Sequence, residues 1–381
     1  MLNKQNKGFL RAILTVTGTI IGAGVFALPV AFKTTGILTG SVVYWFIALL
    51  ILLMHLQYAD IILSDESMKN RRLPGHAGKV LGAWAKKLVY FTHALQIIGA
   101  SLAYLILGGE FLAVITRHYG LNFDIFWWQI LFWLGGSLVI FFGLKLVARV
   151  ESAMTWALVA SLLISCVFYA SKADGSLFWS GDWSESFMPL GIFLFALFGL
   201  QIMPEITELC SRNKYKTKVA ITIGTLTAAF VMWLFGIFAF SAIRENMITY
   251  LDLPLGLPGS IFWLIPIVGF LAVATSFLTL NLDLKSMFHL DIGLSNAMSY
   301  VLALGAPLVL LILLTRDFLK IVDLSGNILN SVNGFLVSLM TLKLLYRKKN
   351  QKIASARLLV PCLTAAAFLS VFIWRIIIIF K

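Results

Sequence analysis

The chain has 381 residues, of which 60% are hydrophobic, 13% aromatic and 12% charged, with a mean hydropathy of +0.92. A soluble domain carries about twice that share of charge, so a water-soluble globular enzyme is excluded and the chain reads as an all-α polytopic membrane protein. The formal net charge of +13 raises nucleic acid as a partner, and the distribution of the charges decides against it below.

A membrane helix needs about 20 apolar residues. In chain order, such runs predict eleven transmembrane helices: about Phe9–Phe32, Gly36–Leu63, Leu88–Thr116, Ile125–Val147, Ser152–Ser171, Phe187–Cys210, Lys218–Ile243, Ser260–Phe288, Ala297–Thr315, Phe318–Tyr346 and Arg357–Phe380. The runs are apolar on every side rather than at alternate positions, which excludes a β-barrel. The first run is too long for a cleavable signal peptide. The longest gap, Ser64–Lys87, is basic and turn-rich around Leu73-Pro74-Gly75, and reads as a cytoplasmic connector with room for one short helix.

With the N-terminus inside, 22 of the 30 Lys and Arg fall on the cytoplasmic side. They are three in the N-terminal arm, six in Ser64–Lys87, Lys145 and Arg149, four in Arg212–Lys218, Lys285, and six in Lys343–Arg357. Outside lie Lys33, Arg117, Lys172, Arg244, Arg316, Lys320, Arg375 and Lys381. This asymmetry fixes the N-terminus inside and the C-terminus outside, in the cell membrane. Basic loops such as Arg347-Lys348-Lys349 then read as anchors against anionic lipid, with no nucleic-acid partner.

Cys166, Cys210 and Cys362 sit in or near separate spans and form no C-x-x-C pair. His55, His76, His93, His118 and His289 are scattered without zinc-ligand spacing. Pro74-Gly75-His76-Ala77-Gly78-Lys79-Val80 has Leu73 where a phosphate loop needs its first glycine and Val80 where it needs Ser or Thr. With no nucleophile elbow or dinucleotide fingerprint either, no enzyme is expected, and no cofactor beyond a coupling ion.

Span one contains Gly18-Thr19-Ile20-Ile21-Gly22-Ala23-Gly24-Val25-Phe26-Ala27-Leu28-Pro29. Glycines and a proline at mid-span open the helical ladder, and only a protein-lined cavity can satisfy the freed backbone groups. Span six repeats the pattern: Gly199-Leu200-Gln201-Ile202-Met203-Pro204 matches Gly24-x-x-x-x-Pro29 at an offset of 175 residues, or five spans. Five is odd, so the copies enter the membrane from opposite faces, and at about 1.5 Å per residue both breaks lie near the midplane. The halves are therefore inverted repeats, about 9–171 and 187–346, with an extra helix at about 357–380 in one transmembrane domain. Paired broken helices in inverted halves point to a secondary-transporter binding site. Amides of Ala23, Gly24 and Val25 at a positive helix end suit a carboxylate; carbonyls near Ile20, Ile21, Ala196 and Phe198 suit an ammonium or a sodium ion.

The stretch Gly18–Pro29 resembles the amino-acid/auxin permease and hydroxy/aromatic amino-acid permease branches of the amino acid–polyamine–organocation superfamily. Shorter similarities lie at Ala103-Tyr104 with Gly109–Ala113, at Phe198-Gly199 with Pro204-Glu205, and at Leu271–Phe277. The resemblance implies a LeuT-type five-plus-five fold and alternating-access symport of a neutral amino acid, aromatic ones included, by a monomer, with spans one, two, six and seven moving as a bundle. It also implies a sodium site of Ile20 and Gly22 carbonyls with Ala272, Thr275 and Ser276. Proton-coupled relatives often place a span-five lysine there, and Ser152–Ser171 has none inside it, which favours Na⁺ over H⁺. Thr275 can equally bond its own helix. A non-transporting amino-acid sensor of the same fold is the alternative.

The substrate contacts expected are Gly22, Ala23, Gly24, Val25, Gly109, Phe195, Phe198, Gly199, Gln201 and Ser276. Gly108-Gly109 either widens the pocket or packs helices closely. Charges inside a bilayer are costly, so each needs a role. Glu205, ahead of Glu208, is either a proton carrier or a brace for its helix start. Asp283, on a track from Thr275 through Thr279, either receives the departing ion or pairs with Lys285, the pair being favoured. Asp323, Asn327, Asn330 and Gly334 form one stripe on span ten that either lines the outer path or ties helices together. Asp60 and Glu110 lie near span ends.

Overall fold

Helices that are apolar on all sides bury their flanks against one another or against lipid, and the structure, a computed structural model, follows that rule. It describes residues 4–69, 71–117, 119–142, 144–243, 253, 263–314, 317–347 and 355–380. His118, Arg244, Ser260, Thr315, Arg316, Lys348, Lys349 and Lys381, on which parts of the charge count and two span ends rest, lie outside the described residues. Among the described residues ten helices are long and apolar enough to cross a membrane, and a bent pair, Gly8–Ile20 with Ala23–Thr35, makes an eleventh.

Span one comprises α1 (Lys4–Ile20) and α2 (Leu28–Thr35), joined by a 3-10 turn at Ala23–Ala27 and bent by 45°. Gly36 separates α2 from α3 (Ile37–Ile62) at a φ of 75°, with Ser180 O 2.6 Å from where a Cβ would stand, so a side chain there is doubly excluded. The basic connector holds the expected short helix, α4 (Leu73–Val80), with Pro74 in its first turn. Then come α5 (Ala83–Arg117), α6 (Ile125–Phe142) and α7 (Leu144–Lys172), the last starting eight residues before the predicted boundary at Ser152. Span six is α8 (Leu190–Leu197), a 3-10 turn at Leu200–Ile202, and α9 (Met203–Leu209). The second half continues with α10 (Lys214–Ile243), α11 (Leu264–Met287) and α12 (Asn296–Leu313). Span ten is α13 (Phe318–Leu324), a π-turn at Ser325–Asn330 and α14 (Ser331–Arg347), and α15 (Ser355–Ile379) ends the chain.

Two groups of contacts organise these helices. α1 lies along α10, α10 along α3, and α3 against α8, linking spans one, two, six and seven; α5 runs along α11 in the other group. α15 packs on α14, where the Phe368 ring fills the space a Cβ at Gly334 would need.

The polar stripe on span ten is taken up by its neighbours. Asn327 donates to Asp323 (2.8 Å), Asp323 pairs with Arg375 of α15, and Asn330 donates to Leu194 O of α8 (3.4 Å). Asp323 and Asn330 thus tie span ten to α15 and α8, while Asn327 bonds within its own span. The small residues Gly191 and Gly326 bring α8 and the π-turn into backbone contact beside them.

Candidate functional site

The first break starts where α1 runs out of acceptors. Ile21 N still bonds Thr17 O (3.0 Å), but Gly22 N reaches back only to Ile20 O (2.9 Å), and Gly22 is extended at φ −118°, ψ −152°. Val25 N then bonds Gly22 O (3.2 Å) and starts the 3-10 turn. As at any helix start, the first amides of that turn, those of Ala23 and Gly24, have no acceptor within it. All of Ala23–Ala27 is buried, and Pro29 begins α2 without needing a donor.

The second break follows Leu197. Phe198 is extended at φ −73°, ψ 125°, Gly199 N donates to His55 Nε2 (3.2 Å), and Ile202 N returns to Gly199 O (3.3 Å). His55 Nδ1 lies 3.3 Å from Thr225 Oγ1. The amide of Gly199, one of the residues expected to contact substrate, is thus already engaged by a side chain. Its α-carbon faces Ile20, whose Cγ1 would be 2.7 Å from a Cβ there. Gly24 approaches the Ala196 backbone so closely that no Cβ fits. The two breaks therefore cross in contact, with one glycine each at the crossing.

Beside the crossing lies a cavity of about 10 Å³, lined by Gly18, Thr19, Tyr104, Gln201, Thr275, Ser276, Thr279 and Leu280. That is room for about one water. Thr19 Oγ1, Gln201 Oε1 and Ser276 Oγ are buried and have no partner of hydrogen-bond geometry among the described residues. Ser276 Oγ would stand 2.9 Å from a Cβ on Gly22, and Tyr104 Oη 3.3 Å, so the first break, α5 and α11 converge on one point. Thr275 Oγ1 instead donates within its own helix, to Leu271 O (3.2 Å) and Ala272 O (2.9 Å). Ala272 is buried behind it. Phe195 and Phe198 are both buried, and the Phe195 ring meets Tyr104 edge-on at 6.5 Å.

Two expectations are corrected here. Gly109 does not line the cavity: the backbone and Cγ of Gln129 in α6 occupy the space of a Cβ, and Phe132 does the same at Gly108, so the pair serves helix packing. Asp283 does not pair with Lys285, whose ammonium sits 5.7 Å above the Tyr300 ring. Arg72, from the connector, instead reaches both Asp283 (3.4 Å) and Glu205, and His93 Nε2 stands 3.5 Å from the far oxygen of Asp283.

This cluster lies at the end of the molecule that carries α4. Burial disfavours the charge on Arg72, but Asp283 and Glu205 outweigh it and hold the guanidinium above its ordinary value. α4 itself is anchored by His76, which is fully buried between Tyr58 Oη (2.9 Å) and Met68 O (3.0 Å). Burial pushes the His76 pKa down to about 4. Near the same end Asp60 pairs with Lys214 (3.1 Å) and Lys218 (2.7 Å) as an interfacial group.

Sequence reasoning missed Thr19, Tyr104, His55 and Arg72 as site residues. Thr19 and Tyr104 stood inside quoted motifs, and a histidine inside an apolar span was a signal for His55. Nothing in the connector singled out Arg72 from its basic neighbours.

Comparison with known proteins bears on the family and the fold. The family model described as "Transmembrane amino acid transporter protein" matches residues 5–290. "Amino acid transporter ANT1" of Arabidopsis thaliana is 31% identical over 117 residues, 30% of this chain and 27% of that protein. "Amino acid transporter AVT6B" of the same plant is 25% identical over 228 residues, 56% of this chain and 46% of that protein. The matches thus span less than half the length of either curated relative. Among solved structures, MhsT in complex with L-phenylalanine has the same fold, with a TM-score of 0.67 at 15% identity over 96% of this chain and 97% of that one.

Proposed function

The chain belongs to the transmembrane amino acid transporter family, and from that premise we propose that it is a secondary active carrier of neutral amino acids, driven by Na⁺ in preference to H⁺. The observation that carries this reading is the convergence of three unpartnered buried oxygens, those of Thr19, Gln201 and Ser276, on one cavity beside the broken backbone at Gly22. Hydroxyl and carbonyl oxygens are the hard ligands a small cation takes. The carbonyls of Ile20 and Gly22 with Ala272, Thr275 and Ser276 are the proposed ion site. Thr275 joins it by turning its hydroxyl away from its own helix.

Span five supports Na⁺ by what it presents. Thr155 Oγ1 and Cγ2 occupy the space a Cβ on Gly18 would need, so span five presents a hydroxyl to α1, and it has no lysine between Ser152 and Ser171. The amino acid's carboxylate is assigned to the amides of Ala23, Gly24 and Val25, its ammonium to the carbonyls around the breaks, and its side chain to the wall of Tyr104, Phe195 and Phe198. That wall, and the L-phenylalanine bound to the structurally similar MhsT, favour an aromatic or other apolar side chain.

The cavity as it stands is too small for an amino acid, so loading requires the bundle of spans one, two, six and seven to move against the rest. Release toward the cytoplasm requires Arg72 to leave Asp283 and Glu205. We assign the protein to the cell membrane as a monomer with a cytoplasmic N-terminus and an external C-terminus, its transport domain running the length of the chain. A tenfold Na⁺ gradient supplies about 1.4 kcal/mol and 100 mV about 2.3 more, enough for a several-hundred-fold gradient of a neutral solute.

Proteoliposome uptake of a labelled mixture of the twenty amino acids tests the reading, with an inward Na⁺ gradient in one arm and an inward proton gradient in K⁺ in the other. Accumulation with Na⁺ alone supports it. Accumulation with protons alone removes the ion site and moves the coupling role to Glu205.

A further inference from the structure

His55 lies in the second half of α3, in the apolar run Ile51–Leu56, and is fully buried. A backbone N–H can only donate, so the contact from Gly199 N at 3.2 Å requires a bare lone pair on Nε2. The ring proton is then on Nδ1, donating to Thr225 Oγ1 at 3.3 Å. The tautomer is set by two fixed partners on two other helices.

The unwound turn at Gly199 frees an amide in a region without water or polar lipid groups, where an unmade donor is costly. No replacement fits easily around it: Ile20 covers one side of the glycine, and the imidazole Cε1 lies 3.5 Å from the position of a Cβ. Four spans meet at this point, through Ile20, His55, Gly199 and Thr225, and they are spans one, two, six and seven. We propose that His55 is a positioning residue for the second break, accepting the amide that unwinding frees at Gly199 so that the break exists before any amino acid arrives. It also makes the break move as one piece with α3 and α10. The role in transport rests on the function proposed above, whereas the hydrogen bond and tautomer do not.

The test uses the full-length protein in proteoliposomes, with initial rates of uptake of the amino-acid mixture for His55→Gln, His55→Leu and Thr225→Val. Glutamine keeps a carbonyl oxygen near the place of Nε2 and should stay within about threefold of the parent KM. Leucine keeps the bulk and loses the acceptor, and should raise KM by about tenfold or more. Thr225→Val, which frees the tautomer, should fall between. Equal KM values for the Gln and Leu variants would overturn the proposal, because bulk alone would then suffice. Nitrogen-15 NMR of the histidine-labelled, substrate-free parent provides an arm that needs no transport and no folded variant. A proton on Nδ1 and a bare Nε2 are expected, and a proton on Nε2 overturns the assignment. A correct tautomer in a protein that transports nothing would leave the positioning geometry standing and count only against the transport reading.

Discussion

The two breaks touch, yet they are finished differently. At Gly199 the freed amide is held by His55, and the glycine is covered by Ile20. At Gly22 the backbone turns back on Ile20 O; Ser276 Oγ, 2.9 Å from where a Cβ would stand, and Thr19 Oγ1 on the adjoining cavity wall have no partner of hydrogen-bond geometry among the described residues. The protein completes the freed backbone amide of the second break, while buried polar groups around the first break, with Gln201 Oε1 of the second copy beside them, have no partner among the described residues. Two inverted copies of one motif therefore need not share the binding equally: the freed amide at Gly199 is already engaged within the protein, so the second copy offers a ligand its Gln201 side chain, whereas the first offers its backbone as well.

Several substitutions would break or sharpen this contrast. The largest effect is expected at the crossing. Gly24→Val drives a side chain into the Ala196 backbone and should cut uptake by about 100-fold at equal reconstituted protein. Gly199→Ala meets chiefly the flexible Ile20 side chain, with the His55 ring at ordinary contact distance, and should cost about fivefold. Comparable losses at both positions would erase the distinction.

Removing Arg72 leaves Asp283 buried without its cation and should loosen the end of the molecule that carries α4. A cysteine at Thr279 should then react about tenfold faster with a membrane-impermeant thiol reagent applied from the cytoplasmic side in Arg72→Ala than in the parent, with Arg72→Lys between. An unchanged labelling rate would mean that the cluster does not close this path.

At the open break, Ser276→Ala should raise the Na⁺ concentration for half-maximal uptake by about tenfold. Thr275→Val should raise it about threefold, since that hydroxyl already bonds its own helix. The reverse order would transfer the ion site one residue along α11.

The smallest effect on transport is expected from pH acting on the anchor of α4. His76 has a folded pKa of about 4 against 6.5 when free, so the unfolded chain takes up the proton first as pH falls. Its contribution to stability is full above about pH 6.5, shrinks as pH drops toward 4 and levels off below. At pH 5 the loss is about 2 kcal/mol, visible as a melting temperature a few degrees lower than at pH 7.5. His76→Gln should flatten that dependence.

Much of the fold was legible because its causes are local. Long runs without charge can only be spans, and glycine followed at five residues by proline interrupts a helix wherever it occurs. The positions of both breaks thus followed from Gly22, Gly24, Gly199, Pro29 and Pro204. What completes each break did not, because the partners come from far along the chain: His55 lies 144 residues from Gly199, and Arg72 133 from Glu205. Gly109 shows the same limit, since a glycine that admits a ligand and one that admits a neighbouring helix are identical until Gln129 is in place. Asp323 was read as a lining or tying group, and only the approach of Arg375 showed which neighbour it meets. The π-turn at Ser325–Asn330 left no mark in the sequence pattern.

Amide hydrogen exchange of the reconstituted protein, with and without Na⁺ and the transported amino acid, tests the contrast most directly. Peptides covering Ala23–Val25 should gain protection when the ligands are added, while Gly199 should be protected beforehand and change little. Equal gains at both breaks, or a Gly199 amide that exchanges freely until the ligands bind, would contradict the account.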